Sequence, residues 1–390
     1  MTDTVDPNSV IPAGDFGIDP AHVTEEVRQI IATNYSLGEI TNIWRISGGY
    51  INWSFGCQTS NDQGPVQYFI RKYNRGIGSE TVRFEHALVD HLLMKEYSLV
   101  APVLRTLEGK SFVTITQDGV ERHIAVYGFL PGESKYSWCF DTDVTEKELI
   151  SCARTLASYH GCISDYCPTI ERQSDPLAYQ GCGVVPPIMD QLPHLPAVYK
   201  KLAARAPINV FGDYLHNKID VILAALQAAA IPAHQRVDLP MLVVHSDFHA
   251  GNVKYVDGDV VALFDFDYAR YDQRMFDIGH ALHFFCFSWD EDSNGELWAD
   301  KLSIFLRTYQ ATMREIGGVG PLSRHELDYL IPYLHAGNFF TLDWDVRDYF
   351  AAPGREPEEY LTYLRHNVRL LETINNNQEL IMRLAADAAG

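Results

Sequence analysis

The pattern of apolar and polar positions changes after residue 131, and this change predicts two structural units. Before it, short β-branched or aromatic segments alternate with Gly, Asn, Asp and Pro, which is typical of an antiparallel sheet. Residues 80–95 interrupt these segments with apolar side chains at helical spacing, so we expect one main helix on the sheet. The predicted strands cover residues 43–46, 52–59, 66–73, 111–116 and 123–129.

Beyond Pro131 and Gly132 the spacing of apolar residues becomes mainly helical. The first of these helices, residues 145–160, starts at Thr145 with Glu148 three residues later, which is the pattern of a capping box. We therefore predict an α+β fold with an N-terminal sheet and a mainly helical second part. The predicted divisions are an N-terminal arm at 1–22, a sheet-rich lobe at 23–130 and a helical lobe at 131–390. Further helices are predicted at residues 203–230, 297–316, 325–343 and 358–376.

Composition narrows the classes of function. The chain has 390 residues, of which 46% are apolar, so it has enough apolar side chains for a large core. Its formal net charge of −20 argues against nucleic acid or anionic membranes as partners. The irregularly spaced cysteines predict neither zinc sites nor disulfides, and the acidic N-terminal stretch is unlike a signal peptide. We expect a cytoplasmic protein, monomeric or homodimeric, without nucleic-acid or membrane partners.

One polar loop in the helical part carries candidate chemistry. Two short apolar strands, at 242–244 and 260–264, flank it, and the second strand ends in Asp265. Phosphoryl transfer to a hydroxyl needs a carboxylate for the hydroxyl proton and oxygen ligands for Mg²⁺. We interpret Asp247 as the base, and Asn252 and Asp265 as the metal ligands. We expect His245 to hold the loop by a hydrogen bond to the backbone or to Asp265.

This loop resembles that of the aminoglycoside phosphotransferase and choline kinase superfamily, which has the protein-kinase-like fold. The resemblance rests on the pattern H-x-D-x-x-x-x-N at residues 245–252, followed by a strand that ends in D-F-D at 265–267. The overall layout is similar to that of type II homoserine kinases. The resemblance implies two lobes, ATP and Mg²⁺ as cofactors, and a small-molecule hydroxyl as acceptor. It also implies that Asp277 braces the catalytic loop by hydrogen bonds to its backbone.

The same resemblance assigns nucleotide-binding residues to the first lobe. Residues 47–55 resemble the family's glycine-containing loop, which implies that Gly48, Gly49 and Asn52 lie at the phosphates. The strand that follows carries Arg71 where the family has its phosphate-binding cation. Lys72 is the next residue and is interpreted as a solvated charge on the opposite face, although which of the two contacts the phosphates is left open.

Two further assignments in this lobe depend on the resemblance. Glu85 resembles the helix Glu that pairs with the strand cation. Residues 123–131 resemble the hinge, where backbone groups from Val126 to Phe129 would contact the edge of the adenine.

The acceptor is less well defined, because the resemblance only indicates that C-terminal helices bind it. Candidate residues there are His283, Asp343, Trp344 and Arg347. Asp and Trp together would suit a cationic amine, and Arg would suit a carboxylate. A homoserine-like amino-acid alcohol, an amino alcohol or a sugar all remain open.

Two other functions compete with a small-molecule kinase. A nucleotide-binding pseudokinase or scaffold has no need for a base, so the presence of Asp247, Asn252 and Asp265 argues against it. A protein Ser/Thr kinase would carry an activation loop and an A-P-E-like segment after Asp265, and the chain shows neither.

Overall fold

The computed structural model describes residues 19–46, 51–61, 64–117, 119–135, 144–168, 185–289, 295–351 and 355–389. The chain divides into two compact units; the main segment of the first ends at Pro131, and the second begins at Gly132. The predicted combination of an antiparallel sheet with a mainly helical second unit is confirmed. No helix in the described ranges combines the length and the apolar character that crossing a membrane requires.

The first unit contains a five-stranded sheet in the order β1-β2-β3-β5-β4, with every neighbouring pair antiparallel. Its elements are α1 (Pro20–Asn34), β1 (Glu39–Ile46), β2 (Trp53–Asn61), β3 (Gly64–Lys72), α2 (Ser79–Met94), β4 (Val113–Gln117) and β5 (Val120–Gly128).

One face of this sheet packs against α1. The helix buries Val27 and Ile31, which join Phe55 of β2, Ile70 of β3 and Val126 of β5 in one apolar core. Because side chains alternate between the two faces of a strand, the neighbours of these residues lie on the opposite face. Arg71, next to Ile70, is therefore on the face away from α1.

The interpretation of Lys72 as a solvated charge is wrong. Its side chain is buried, and its ammonium group donates hydrogen bonds to Glu26 at 2.5 Å and to Gln117 at 3.3 Å. Strand alternation places Lys72 on the face covered by α1, and Glu26 of that helix supplies the opposite charge that burial of an ammonium requires.

The second unit contains ten α-helices among the described residues and two small antiparallel sheets, β6 with β9 and β7 with β8. The strands are β6 (Met241–Val244), β7 (Val253–Val256), β8 (Asp259–Leu263) and β9 (Arg270–Gln273). The helices are α3 (Glu146–Cys162), α4 (Ile188–Gln191), α5 (Leu195–Ala203), α6 (Val210–Ala229), α7 (Arg274–Phe285), α8 (Ala299–Ile316), α9 (Arg324–Leu327), α10 (Leu330–Ala351), α11 (Pro357–Asn376) and α12 (Gln378–Ala389).

The start of α3 is as predicted, whereas the start of α6 is not. Thr145 and Glu148 form the reciprocal capping box, with the Thr145 N–H donating to the Glu148 carboxylate at 2.8 Å. The helix predicted at 203–230 begins later, as α6 at Val210, and residue 203 is the last residue of the separate helix α5. The break between them contains Pro207, which lacks the N–H that a continuous helix needs.

Candidate active site

Two hydrogen bonds tie the polar loop to the end of strand β8. The Phe264 N–H donates to the carbonyl of Asn252 at 3.1 Å, which continues the ladder of the β7–β8 hairpin by one step. The His245 Nε2–H donates to the Phe264 carbonyl at 3.0 Å, so His245 binds backbone at this end of the strand. Asp265 follows Phe264 directly, and these bonds therefore hold it beside the loop that carries Asp247 and Asn252.

Asn252 and Asp247 are in direct contact. The side-chain amide of Asn252 donates to Oδ2 of Asp247 at 2.7 Å and to the backbone carbonyl of Asp247 at 2.8 Å. Both N–H groups of the amide are thus used on Asp247, which directs the Oδ1 atom of Asn252 away from it. The side chain of Asp247 remains 22% exposed, so a reactant can reach its carboxylate.

The electrostatics keep Asp247 ionised. Burial works to raise the pKa of its carboxyl, but the neighbouring His249, His280 and His245 outweigh burial and lower the pKa to about 2. The carboxyl therefore accepts hydrogen bonds and a proton, and does not donate, across the physiological pH range.

Asp277 of α7 anchors the backbone at the start of the loop. Its carboxylate is fully buried and accepts hydrogen bonds from the backbone N–H groups of His245 and Ser246, both at 2.7 Å. His160 of α3 donates to the same carboxylate through Nε2 at 3.0 Å, while the hydroxyl of Tyr309 of α8 donates to His160 Nδ1 at 2.7 Å. The structure thus connects two helices outside the loop to its first residues.

Asp265 has a backbone conformation that is rare for a residue with a side chain. Its φ of 68° and ψ of 63° lie in the left-handed region, and its side chain is half-buried. Non-glycine residues in this region are usually held there by surrounding structure and are common at functional sites. A residue in the left-handed conformation turns the chain sharply, so the extended chain of β8 does not continue past Asp265, the candidate metal ligand.

The oxygen atoms of Asn252 and Asp265 are a donor set that fits Mg²⁺, which prefers one or two carboxylates completed by phosphate oxygens and water. Among the described residues no group of three or more His, Cys, Asp or Glu side chains is arranged as a metal site on its own. A metal bound by Asn252 and Asp265 would therefore take its remaining ligands from the nucleotide and from water.

In the first unit, Gly48 and Gly49 lie outside the described residues. Asn52 is buried, and its Oδ1 atom accepts a hydrogen bond from the backbone N–H of Asn74 at 2.9 Å, which links the start of β2 to the chain after β3. Arg71 is also buried, and its guanidinium lies 5.7 Å from the centre of the Phe69 ring. Their roles at the phosphates stay predictions.

Glu85 of α2 is buried and accepts hydrogen bonds from two tyrosines of the sheet unit, Tyr73 at 2.7 Å and Tyr127 at 2.9 Å. Its pairing with the strand cation stays a prediction. Val126 lies in the core, and its carbonyl already accepts the N–H of Leu104 at 2.8 Å. The chain leaves the sheet after Gly128, so half-buried Phe129 is the first residue of the predicted hinge outside the ladder.

The four candidate acceptor residues are not equivalent in the structure. Asp343 is fully buried, and its carboxylate accepts a hydrogen bond from Nε of Arg347 at 2.6 Å, so the two charges that were assigned to different acceptor groups neutralise each other. His283 is fully buried, and burial together with nearby histidines holds its pKa well below the ordinary value, which keeps the ring neutral. Trp344 is half-buried on α10. Their contact with an acceptor stays a prediction.

Sequence reasoning did not single out His249. Its Nδ1 atom accepts the N–H of Gly251 at 3.0 Å, and its Nε2 atom lies 3.6 Å from Oδ1 of Asp247. The ring packs against Phe284 of α7, with 4.9 Å between the ring centres. The only indication of a role for His249 in the sequence was its position two residues after Asp247. This indication was weak, because a histidine in a polar loop is often only part of a turn.

The amino-acid sequence is similar to those of known phosphotransferases. A model of a family described as "Phosphotransferase enzyme family" matches residues 42–315. The homoserine kinase of Granulibacter bethesdensis is 25% identical over 289 residues, which are 74% of this chain and 77% of that protein. The homoserine kinase of a Chelativorans species is 24% identical over 355 residues, which are 88% of this chain and 93% of that protein.

Solved structures show the same fold at lower identity. An amicoumacin kinase in complex with AMP-PNP, Ca²⁺ and Ami superposes with a TM-score of 0.62 and 18% identity, over 90% of this chain and 93% of its own. A microcompartment-associated aminopropanol kinase superposes with a TM-score of 0.59 and 14% identity, over 92% of this chain and 99% of its own. The predicted protein-kinase-like fold is confirmed.

Proposed function

The chain belongs to the phosphotransferase enzyme family and is an ATP-dependent small-molecule kinase, and we propose that it uses Mg²⁺ and phosphorylates a hydroxyl of a small metabolite that bears an amino group. The observation that carries the proposal is the loop from His245 to Asn252. It holds a partly exposed, ionised carboxylate, that of Asp247, between a metal-ligand candidate, Asn252, and a buried anchor, Asp277.

The chemistry of Asp247 follows from its contacts. Its Oδ2 atom is occupied by Asn252, so Oδ1 is the atom that faces an acceptor hydroxyl. A carboxylate with a pKa of about 2 is a weak base, and it orients the hydroxyl by accepting its hydrogen bond. As the bond between the γ-phosphorus and the departing ADP oxygen breaks, the acceptor oxygen forms the new phosphorus–oxygen bond and its proton passes to Asp247. This order is in keeping with a loose transition state in which positioning dominates.

Asn252 and Asp265 supply the remaining chemistry on this loop. Mg²⁺ bound with ATP would neutralise charge that develops on the transferred phosphoryl group. For Asn252 the ligand is Oδ1, because both amide N–H groups donate to Asp247. As the resemblance implies, Arg71 is the candidate for the cation that contacts the phosphates of ATP. Glu85 is the candidate for the carboxylate that positions Arg71.

An amino group on the acceptor is supported by chemistry that the named relatives share. Homoserine and aminopropanol both carry an amine in addition to the hydroxyl. In this chain Asp247 and Asp265 place negative charge at the site, whereas burial lowers the pKa of His245 and lowers that of His280 to about 4, so these two rings add no positive charge near neutral pH. A cationic acceptor is therefore favoured over an anionic one.

The test is Mg²⁺-dependent phosphate transfer from ATP across matched hydroxyl compounds. We expect homoserine, 1-amino-2-propanol or ethanolamine to be phosphorylated with a kcat/KM at least tenfold above that of glycerol or 1,2-propanediol, which lack the amine. The Asp247→Asn variant should lose about 100-fold or more in kcat while ATP still stabilises it against heat.

Two outcomes would contradict the proposal. Equal kcat/KM for acceptors with and without an amine would contradict the proposed preference for an amino group. Normal turnover in Asp247→Asn would contradict the proposed role of Asp247. Binding of ATP without transfer to any member of the panel would favour the pseudokinase or scaffold instead.

A further inference from the structure

His249 makes two different contacts through its two ring nitrogens. The Nδ1 atom accepts the N–H of Gly251 at 3.0 Å, and it can do so only without a proton of its own. The proton of the neutral ring is therefore on Nε2, the atom that lies 3.6 Å from Oδ1 of Asp247. The backbone contact thus fixes the tautomer and makes the other nitrogen a donor that faces the candidate base.

The ring of His249 is held in place from its other side. It packs on Phe284 at 4.9 Å, and Phe284 in turn stacks on Trp289 with 5.6 Å between the ring centres and 4° between the planes. Trp289 stacks on His366 of α11. This ring stack, consisting of His249, Phe284, Trp289 and His366, connects the loop to α7 and α11 and limits how far the His249 ring can move.

We propose that His249 is a positioning residue for phosphoryl transfer, which directs its Nε2–H to Oδ1 of Asp247 and so fixes the carboxylate that faces the acceptor hydroxyl. The inference rests on the proposed function. Asn252 holds Oδ2 of Asp247 by a hydrogen bond of 2.7 Å, and the Nε2–H of His249, at 3.6 Å, is a weaker electrostatic contact on the other oxygen, Oδ1.

The competing explanation is that His249 only caps the turn at residues 250–252. It does accept the Gly251 N–H as the cap of this turn, and this contact alone would contribute to the stability of the loop. The two roles use different nitrogen atoms, so substitutions that keep one nitrogen's function and remove the other's separate them.

The experiment compares His249→Asn with His249→Gln. Asn places an oxygen where Nδ1 is, so it keeps the cap but has no group at the position of Nε2. Gln places its amide N–H near the position of Nε2, so it keeps the donor and loses the cap. We expect His249→Asn to unfold at the wild-type temperature with kcat lowered about tenfold or more and the KM for ATP unchanged. His249→Gln should unfold at a lower temperature, with kcat within about threefold of the wild type.

Three results would overturn the proposal: wild-type kcat in His249→Asn, an equal loss of kcat in both variants, or a loss of kcat that follows the loss of unfolding temperature. The kcat values in these three comparisons are measured with an acceptor that the wild-type protein phosphorylates. Absence of transfer by the wild-type protein itself would count against the proposed function, and is thereby distinguished from failure of the role of His249.

Discussion

Replacing Asp277 by Asn tests whether a buried carboxylate holds the catalytic loop. The change keeps the shape of the side chain and removes one charge. In the native protein Oδ2 accepts the His245 N–H at 2.7 Å and the His160 Nε2–H at 3.0 Å, and Oδ1 accepts the Ser246 N–H at 2.7 Å. An amide offers only one accepting oxygen, so its NH₂ group must face an N–H donor.

The expected cost follows from these contacts. The best arrangement keeps the amide oxygen at the Oδ2 position, which loses the hydrogen bond to Ser246. A hydrogen bond to a charged group contributes about 1.5–3 kcal/mol, and a buried donor left without an acceptor costs about 1–3 kcal/mol. We therefore expect Asp277→Asn to lower the free energy of unfolding of the second unit by about 3–5 kcal/mol.

The assay is chemical denaturation of both proteins followed by circular dichroism, with kcat and KM measured under native conditions. Asp220→Asn is a suitable control, because Asp220 is exposed on α6 and its substitution removes the same charge without buried bonds. We expect kcat of Asp277→Asn to fall at least tenfold, because His245 and Ser246 directly precede Asp247. The KM for ATP should change less than kcat.

The reasoning is refuted if Asp277→Asn unfolds within about 1 kcal/mol of Asp220→Asn, because the three bonds would then contribute nothing net. A destabilised variant with unchanged kcat would show that Asp277 supports the fold without positioning the loop.

Three shorter predictions concern the metal, the nucleotide and pH. Asp265→Ala should raise the Mg²⁺ concentration for half-maximal activity about tenfold or more, and an unchanged Mg²⁺ dependence would exclude it as a ligand. Arg71→Ala should raise the KM for ATP more than that of the acceptor, and an effect on the acceptor alone would contradict its placement. Burial works to raise the pKa of Asp277, but the hydrogen bond and charge of His160, together with His245, outweigh burial and lower the net pKa. The stabilisation by Asp277 is therefore present above about pH 3.9 and is lost as the pH falls toward the lower folded value. The difference in unfolding temperature between the wild type and Asp277→Asn should accordingly be constant from pH 7 to 5 and narrow below pH 4.

The local structure around the loop could be predicted from the sequence because its contacts are local, whereas the roles of its residues stay predictions. Asn252 lies five residues after Asp247, and the hairpin that follows brings Asp265 back beside it, so spacing and strand patterns contain the information. The first unit was also predictable in outline, since its strands are short, apolar and separated by turn residues.

Contacts between distant segments were not available from spacing. Lys72 was assigned to solvent because nothing local shows that α1 covers its face of the sheet and brings Glu26 to it. The ion pair between Asp343 and Arg347 could have been predicted, because residues four apart on a helix are neighbours. It was not predicted because the two charges were assigned to different groups of the acceptor. His160 and Tyr309 gave no signal, because their meeting depends on the packing of α3 against α8.

That last contact bears on how far the protein can be shortened. A chain that stops ahead of residue 299 would retain each residue that the sequence marks for catalysis between Asp247 and Asp277, yet it would lack the hydroxyl that Tyr309 gives to His160. The imidazole would then be free to turn within the interior, and the carboxylate beneath the loop would lose a fixed neighbour. Domain boundaries for engineering this enzyme are therefore better drawn after α8 than after the last residue with assigned chemistry.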